Sequence, residues 1–277
     1  MDNGIHGDLA SQGYPALDSP SGARLSSADA YMSLPSRIPS SPRGSSLESL
    51  IAATAATYAR IEAEQNAFLA AAAGRGSPLA CPSGCGSCCE PFVPDVLPTE
   101  AAYIAAWLLE NEPALAERAA AWAGAGPPSV PPCPFLRRSG REARCAIYPA
   151  RPLVCRLFGA AAVRDREGRA SFRPCARMPL PGRPPLGRER RPMSGADLVR
   201  EFGAAPPVMA DYAAELASLR PAEAAERALL VEALPSALRR VGLSLSLAED
   251  ARDRTYSTRH AREKEAVSAL PDGAGRR

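Results

Sequence analysis

Eight cysteines stand in one third of the chain: Cys81, Cys85, Cys88, Cys89, Cys133, Cys145, Cys155 and Cys175. The first four crowd into the run CPSGCGSCC. Thiolates two or three residues apart on a loop can converge on one ion or one cluster. Zinc takes sulfur at about 2.3 Å in a tetrahedron. A cubane cluster is held by four thiolates, often several from one loop and one from afar. Cys81, Cys85 and either Cys88 or Cys89 fit the local part of such a site. Adjacent cysteines rarely point at the same metal atom, so Cys88 and Cys89 are expected to differ: one joins the local group, and the other faces a second site or is a buried thiol. His6 and His260, the only histidines, fall in expected tails. A His-rich catalytic zinc is therefore disfavoured. All eight cysteines are the candidate metal ligands, and an all-thiolate set suits structural zinc or an iron–sulfur cluster. The residue pattern does not choose between the two.

Net charge is a modest +3, but it is unevenly spread. Between Cys133 and Arg191 fifteen arginines face four acidic residues, Glu142, Asp165, Glu167 and Glu189, an excess of +11. Positive charge there would offset a negative thiolate centre, and Arg144, Arg156, Arg173 and Arg177 flank cysteines. The alternative is that the arginines contact phosphate, an anionic cofactor or nucleic acid. Nucleic acid is disfavoured, because neither interleaved aromatics nor a DNA-reading helix accompanies the charge. The start MDNGIHGDLA has no basic region followed by an apolar one, so no secretory signal is expected. No apolar run of about 18 residues predicts a membrane span. A cytoplasmic location follows as the expectation, with thiols kept reduced and bound to metal rather than paired as disulfides. A disulfide-stapled exported protein is the opposite reading.

Elements must position these thiols. Residues 1–44 are Ser-, Pro- and Gly-rich and are expected to be a disordered tail. Ser45 and Glu48 have capping-box spacing, and Leu47, Leu50, Ile51, Tyr58, Ile61 and Phe68 then share one face of a long helix stopped near Gly74. That helix is expected to pack over the cysteine module. Gly84 and Gly86 permit a tight loop with amides turned toward sulfur. Thr99 is placed as the cap of a helix to about Asn111, and Pro113 opens a second helix ending near Gly124. Cys145–Tyr148 reads as a short strand, and 160–164 with 169–173 as a hairpin around Asp165–Gly168. Residues 178–192 read as an extended loop. Helices are expected at about 195–202, 208–219 and 222–234, and a second disordered tail over 249–277. The predicted class is thus α+β and mostly helical: a small irregular metal-stapled module with a short β-hairpin, flanked by helices and disordered tails. One domain over 45–248 contains the module at 81–175 and C-terminal helices at 195–234.

The motifs also carry a resemblance. CPSGCGSCC is similar to the opening cluster of the YkgJ-type cysteine-cluster (CxxCxxCC) family of zinc- or iron-chelating proteins. Cys133-Pro134-Phe135-Leu136 resembles that family's CPFL element. Cys145-Ala146-Ile147-Tyr148, Arg151-Pro152 and Cys155-Arg156 resemble its next stretch, and Cys175 its closing cysteine. The resemblance spans roughly residues 81–175. It implies a metal-binding protein with zinc or an iron–sulfur cluster, a four-iron one in the latter case, in a structural or redox role. A related module occurs in flagellin lysine N-methylases, which implies as the alternative a cluster-dependent enzyme: a protein methyltransferase using S-adenosylmethionine, or an oxidoreductase. A protein substrate or a redox partner would follow from that alternative; no Gly-rich cofactor fingerprint accompanies it here. Arg151 and Arg156 are read as structural before ligand-binding, and Phe135, Ile147, Tyr148 and Phe158 as packing around the metal.

Overall fold

The computed structural model describes residues 46–77, 79–81, 85–125, 132–140, 142–175, 177–178 and 192–268. The tail expected over 1–44, residues 179–191 of the expected Pro/Arg-rich loop, and residues 269–277 lie outside these.

Helix α1 (Leu47–Gly74) begins at Ser46, whose hydroxyl accepts from the Ser49 amide at 3.1 Å. The cap is therefore one residue later than the expected Ser45, which is outside the described residues. Leu50, Ile51, Tyr58, Ile61 and Phe68 are buried, as their helical spacing requires. Helix α2 (Pro98–Asn111) is capped at Leu97, two residues earlier than the expected Thr99. Proline fills its first position, and the Leu97 amide donates to the Glu100 carboxylate at 2.9 Å. Thr99 is no cap; its hydroxyl is buried without a hydrogen-bond partner. Helix α3 (Pro113–Ala125) follows after a sharp break at Glu112.

A hairpin comes next, β2 (Leu136–Ser139) with β3 (Glu142–Cys145), preceded in the chain by the two-residue β1 (Asp95–Val96). The strand expected at Cys145–Tyr148 is displaced: β3 ends at Cys145, and Tyr148–Ala150 form a 3-10 turn with Pro149 inside it. A short helix α4 (Leu153–Leu157) then carries Cys155. Strand β4 (Val163–Arg164) pairs with β5 (Ala170–Phe172), the hairpin expected around Asp165–Gly168, and β6 (Met193–Ser194) adds to its other side. Asp165 closes that turn by accepting from the amides of Glu167 and Arg169.

Helices α5 (Gly195–Phe202) and α6 (Met209–Ser218) agree with the sequence pattern. The helix expected over 222–234 is different: Pro221–Glu223 is a 3-10 turn, β7 (Ala228–Leu229) pairs with β1, and helix α7 runs Leu230–Ser268. It therefore continues through the stretch that composition assigned to a tail beyond 249.

Two apolar clusters organise these elements. The larger joins α1, α2, α3, α6 and α7 with Cys133, Phe135, Ile147, Leu153 and Leu157 of the cysteine region. Tyr58 and Tyr103 meet edge to face at its centre, 5.3 Å between rings. The smaller gathers Phe68, Phe172 and Phe202 in edge-on contact with Leu79, Ala162, Met178 and Leu198. Mostly helical α+β is the architecture, with small antiparallel ribbons around the cysteines. Among the described residues no helix is long and apolar enough to cross a membrane.

Candidate metal centre

The loop bearing Cys85, Cys88 and Cys89 is seated on the β2–β3 hairpin. Gly86 is the contact point: a Cβ there would come within 2.4 Å of the Ala143 Cβ and 2.9 Å of Leu136 Cδ1. Glycine is needed because nothing larger leaves room between loop and hairpin. The Cys89 amide donates to the Gly86 carbonyl at 2.8 Å, which closes the turn, and the Cys133 amide donates to the Cys89 carbonyl at 3.0 Å. Cys133 opens a further turn, with Leu136 N donating to its carbonyl at 2.9 Å, and Leu136 pairs with Cys145 across the hairpin. Main-chain bonds thus stitch Cys89, Cys133 and Cys145 into one patch, although 44 and 12 residues separate them in sequence.

Local geometry recurs at four of the thiols. The amide two residues ahead favours the thiolate at Cys85 (from Ser87), at Cys133 (from Phe135) and at Cys145 (from Ile147). At Cys175 the Arg177 amide stands 3.5 Å from Sγ. An N–H placed against sulfur orients a thiolate ligand.

The thiols fall into two neighbourhoods. Cys133 belongs to the larger apolar cluster, with Cys89 and Cys145 packed against it, whereas Cys175 packs against the smaller. Electrostatics divides them similarly. Cys88, Cys133, Cys145 and Cys155 act on one another, with Arg151 as their positive neighbour. Cys81 feels Cys85 and Cys175, and Cys85 feels Arg177. Cys88 reaches both groups.

Burial pushes the Cys145 thiol up to about 12 and raises Cys133 and Cys155 as well. It also lifts Cys81 to about 11. The Ser87 amide lowers Cys85. Cys88 and Cys89 share a contact of 4.0 Å between sulfurs, which pulls Cys88 down to about 6 and holds Cys89 protonated.

A tetrahedron with 2.3 Å arms has edges of about 3.8 Å, near the Cys88–Cys89 separation. Elsewhere the thiols are more spread: among the described residues no three Cys, His, Asp or Glu side chains stand in an arrangement that holds an ion. The donor chemistry nevertheless fits zinc or an iron–sulfur cluster. The neighbouring groups are all sulfur, four have amides aimed at them, and a bound cation offsets the cost of burying thiolates.

Of the arginines near cysteines in sequence, Arg177 acts on Cys85, whereas Arg144 and Arg156 are engaged with carboxylates. Arg144 is exposed and pairs with Glu142 at 2.8 Å. Arg156 is fully buried and pairs with Glu62 at 2.8 Å, the structural role expected of it. Arg151 supplies positive charge instead: its guanidinium lies 4.0 Å over the Tyr148 ring, and its Nε is buried without a hydrogen-bond partner. Phe135 and Ile147 are packed inside as expected, but Tyr148 and Phe158 are 48% and 42% exposed. Tyr148 is turned out by the 3-10 turn, and Phe158 lies edge-on to Phe92 at the surface.

Sequence reasoning read Tyr58 only as part of an apolar face and missed Glu62, Gln65 and Glu100; together these hold the Cys155 turn. The available signal was polar residues set into apolar helix faces: Gln65 between Ile61 and Phe68, and Glu100 beside Ala101.

Residues 80–176 match the CxxCxxCC family model, described as a putative zinc- or iron-chelating domain. The cysteine module is thus similar to the CxxCxxCC domain. The match begins one residue before Cys81 and ends one after Cys175, so the matched segment contains all eight cysteines. It also takes in α2 and α3, whereas α1, α5, α6 and α7 lie outside it. No curated protein and no solved structure matches the chain.

Proposed function

We propose that this protein binds zinc or an iron–sulfur cluster through cysteine thiolates, with the centre in a structural or redox role. The ligands are drawn from Cys81, Cys85, Cys88, Cys89, Cys133, Cys145, Cys155 and Cys175. The observation that carries the reading is the gathering of the thiols into two neighbourhoods, with an amide two residues on acting on sulfur at Cys85, Cys133 and Cys145 and standing 3.5 Å from Sγ at Cys175. Such donors orient ligands and tune the charge of a thiolate centre. The two neighbourhoods support a deeper group around Cys133, Cys145 and Cys155 and a more open one around Cys81, Cys85 and Cys175. In the iron–sulfur case Cys133, Cys145 and Cys155 of the deeper group together with Cys88 suit a four-iron cluster, and Arg151 offsets its charge. In the zinc case the same thiolates close a tetrahedron and staple the irregular loops to the helices.

Anaerobic isolation followed by metal and sulfide analysis tests this. Iron with matching sulfide and broad visible absorption, or colourless protein with near-stoichiometric zinc, is the expected result. Fully folded protein that takes up neither metal ends the proposal.

A further inference from the structure

Cys155 is placed by a buried polar network reaching outside the family-matched segment. The guanidinium of Arg156, next in sequence, is fully buried. Its Nε donates to the Arg151 carbonyl at 2.8 Å, its Nη2 to the Pro149 carbonyl, and its Nη1 to the Glu62 carboxylate at 2.8 Å. Its face lies 4.2 Å over the ring of Tyr58. Gln65 grips the same segment by donating to the carbonyls of Arg156 at 2.9 Å and Ala160 at 3.2 Å. From the other side Glu100 accepts from the Leu153 amide and from the Tyr58 hydroxyl, both at 2.8 Å.

Tyr58, Glu62 and Gln65 all belong to α1, which precedes the family-matched segment. The turn around Cys155 is thus hydrogen-bonded to α1 through Glu62 and Gln65 and to α2 through Glu100. A buried cation held by one carboxylate, two carbonyls and a ring is costly to disturb, because removing one partner strands the charge. The guanidinium fork suits this task, since it serves three acceptors in one plane.

We propose that Arg156 is a positioning residue for Cys155, and that α1, through Glu62 and Gln65, clamps this ligand and so controls how tightly the centre is held. The inference rests on the metal-binding reading above and adds to it a dependence on a helix outside the family-matched segment.

The test uses the full-length metal-loaded protein with Glu62→Gln, Gln65→Met and Arg156→Lys, each alone and combined with Cys155→Ser. Release of metal to a chelator is followed, with site-resolved alkylation of the metal-free protein as a second readout. Each single variant is expected to release metal about 10–100-fold faster, the usual effect of losing a group that orients a ligand. Arg156→Lys should not rescue release, because an ammonium cannot serve Glu62 and both carbonyls together. In the Cys155→Ser background the extra effect should vanish, and in metal-free protein Cys155 alone should alkylate faster. Glu215→Gln, which breaks the Thr57 and Arg60 contacts of the same helix, should leave release unchanged. Additive effects of Glu62→Gln and Cys155→Ser, or equally faster alkylation at Cys133 and Cys155, would overturn the inference. Wild-type protein that holds no metal would instead defeat the binding proposal, and the alkylation pattern would still decide the positioning role.

Discussion

The amide of Cys133 donates to the carbonyl of Cys89 at 3.0 Å, binding the opening cysteine loop to the next cysteine segment of the chain. That bond depends on how closely the loop approaches the hairpin, which Gly86 alone permits. Gly86→Ala would drive a methyl into Ala143 at 2.4 Å. Overpacking of this kind costs about 1–3 kcal/mol. The loop can escape only by lifting off the hairpin, so the Cys133–Cys89 bond should break. Urea denaturation should show the loss of stability, and chelator competition a weaker hold on metal. A variant with unchanged metal affinity would mean the loop and hairpin bind independently.

Single cysteine changes should report the two neighbourhoods. Cys145→Ser and Cys155→Ser remove proposed ligands from the deeper group, and Cys85→Ser removes a proposed one from the more open group. Metal analysis should show loss in all three, with the first two also lowering stability, because burial raises both thiols and Cys145 packs against the main cluster. Cys88→Ser and Cys89→Ser should differ in severity. Cys88 is exposed and adjoins both groups, whereas Cys89 packs against the larger cluster. Identical losses from these two would contradict separate roles.

Helix positions and the cysteine inventory were legible in sequence because periodicity and residue type are local. Tyr58, Ile61 and Phe68 announce a buried face whatever lies opposite them. The β2–β3 hairpin was not legible: its strands are Leu136–Ser139 and Glu142–Cys145, polar and arginine-rich, and they hold their place through main-chain bonds and the Gly86 loop rather than an alternating apolar pattern. The same limit applies to charge. Arg144 and Arg151 look alike beside cysteines in sequence, yet only the turn over Tyr148–Ala150 brings Arg151 to the sulfurs. The start of α7 was misjudged because β7, two residues long, exists only through pairing with the distant Asp95–Val96.

Metal removal should loosen the molecule unevenly. The deeper cysteine segments contribute Cys133, Phe135 and Ile147 to the main cluster, but α1, α2 and α7 contribute most of its apolar surface. Bound metal stabilises only the state in which its ligands are gathered. After chelation, far-UV helical signal should persist while amides of β2, β3 and the Cys155 turn lose hydrogen-exchange protection. Global unfolding in one step, with helix α2 exchanging as fast as β3, would show that the helices cannot hold without the centre.

Acid should act separately at the ribbon joining β1 to β7. Arg227 Nε stands 2.6 Å from Asp95 Oδ2, and this bond holds the Asp95 carboxyl below its ordinary value. The folded protein therefore keeps Asp95 ionised to lower pH than the unfolded chain does. Its contribution is complete above the unfolded carboxyl value of about 3.9 and is lost as pH falls through the lower folded value. Both partners are well exposed, so screening limits the pair to under about 1 kcal/mol. Asp95→Asn should lower unfolding free energy at neutral pH by that small amount, less so at high salt. The difference from wild type should shrink only below about pH 4. In an Arg227→Met background the same substitution should have almost no effect at any pH. A deficit that survives intact in acid would assign Asp95 a role other than its ion pair.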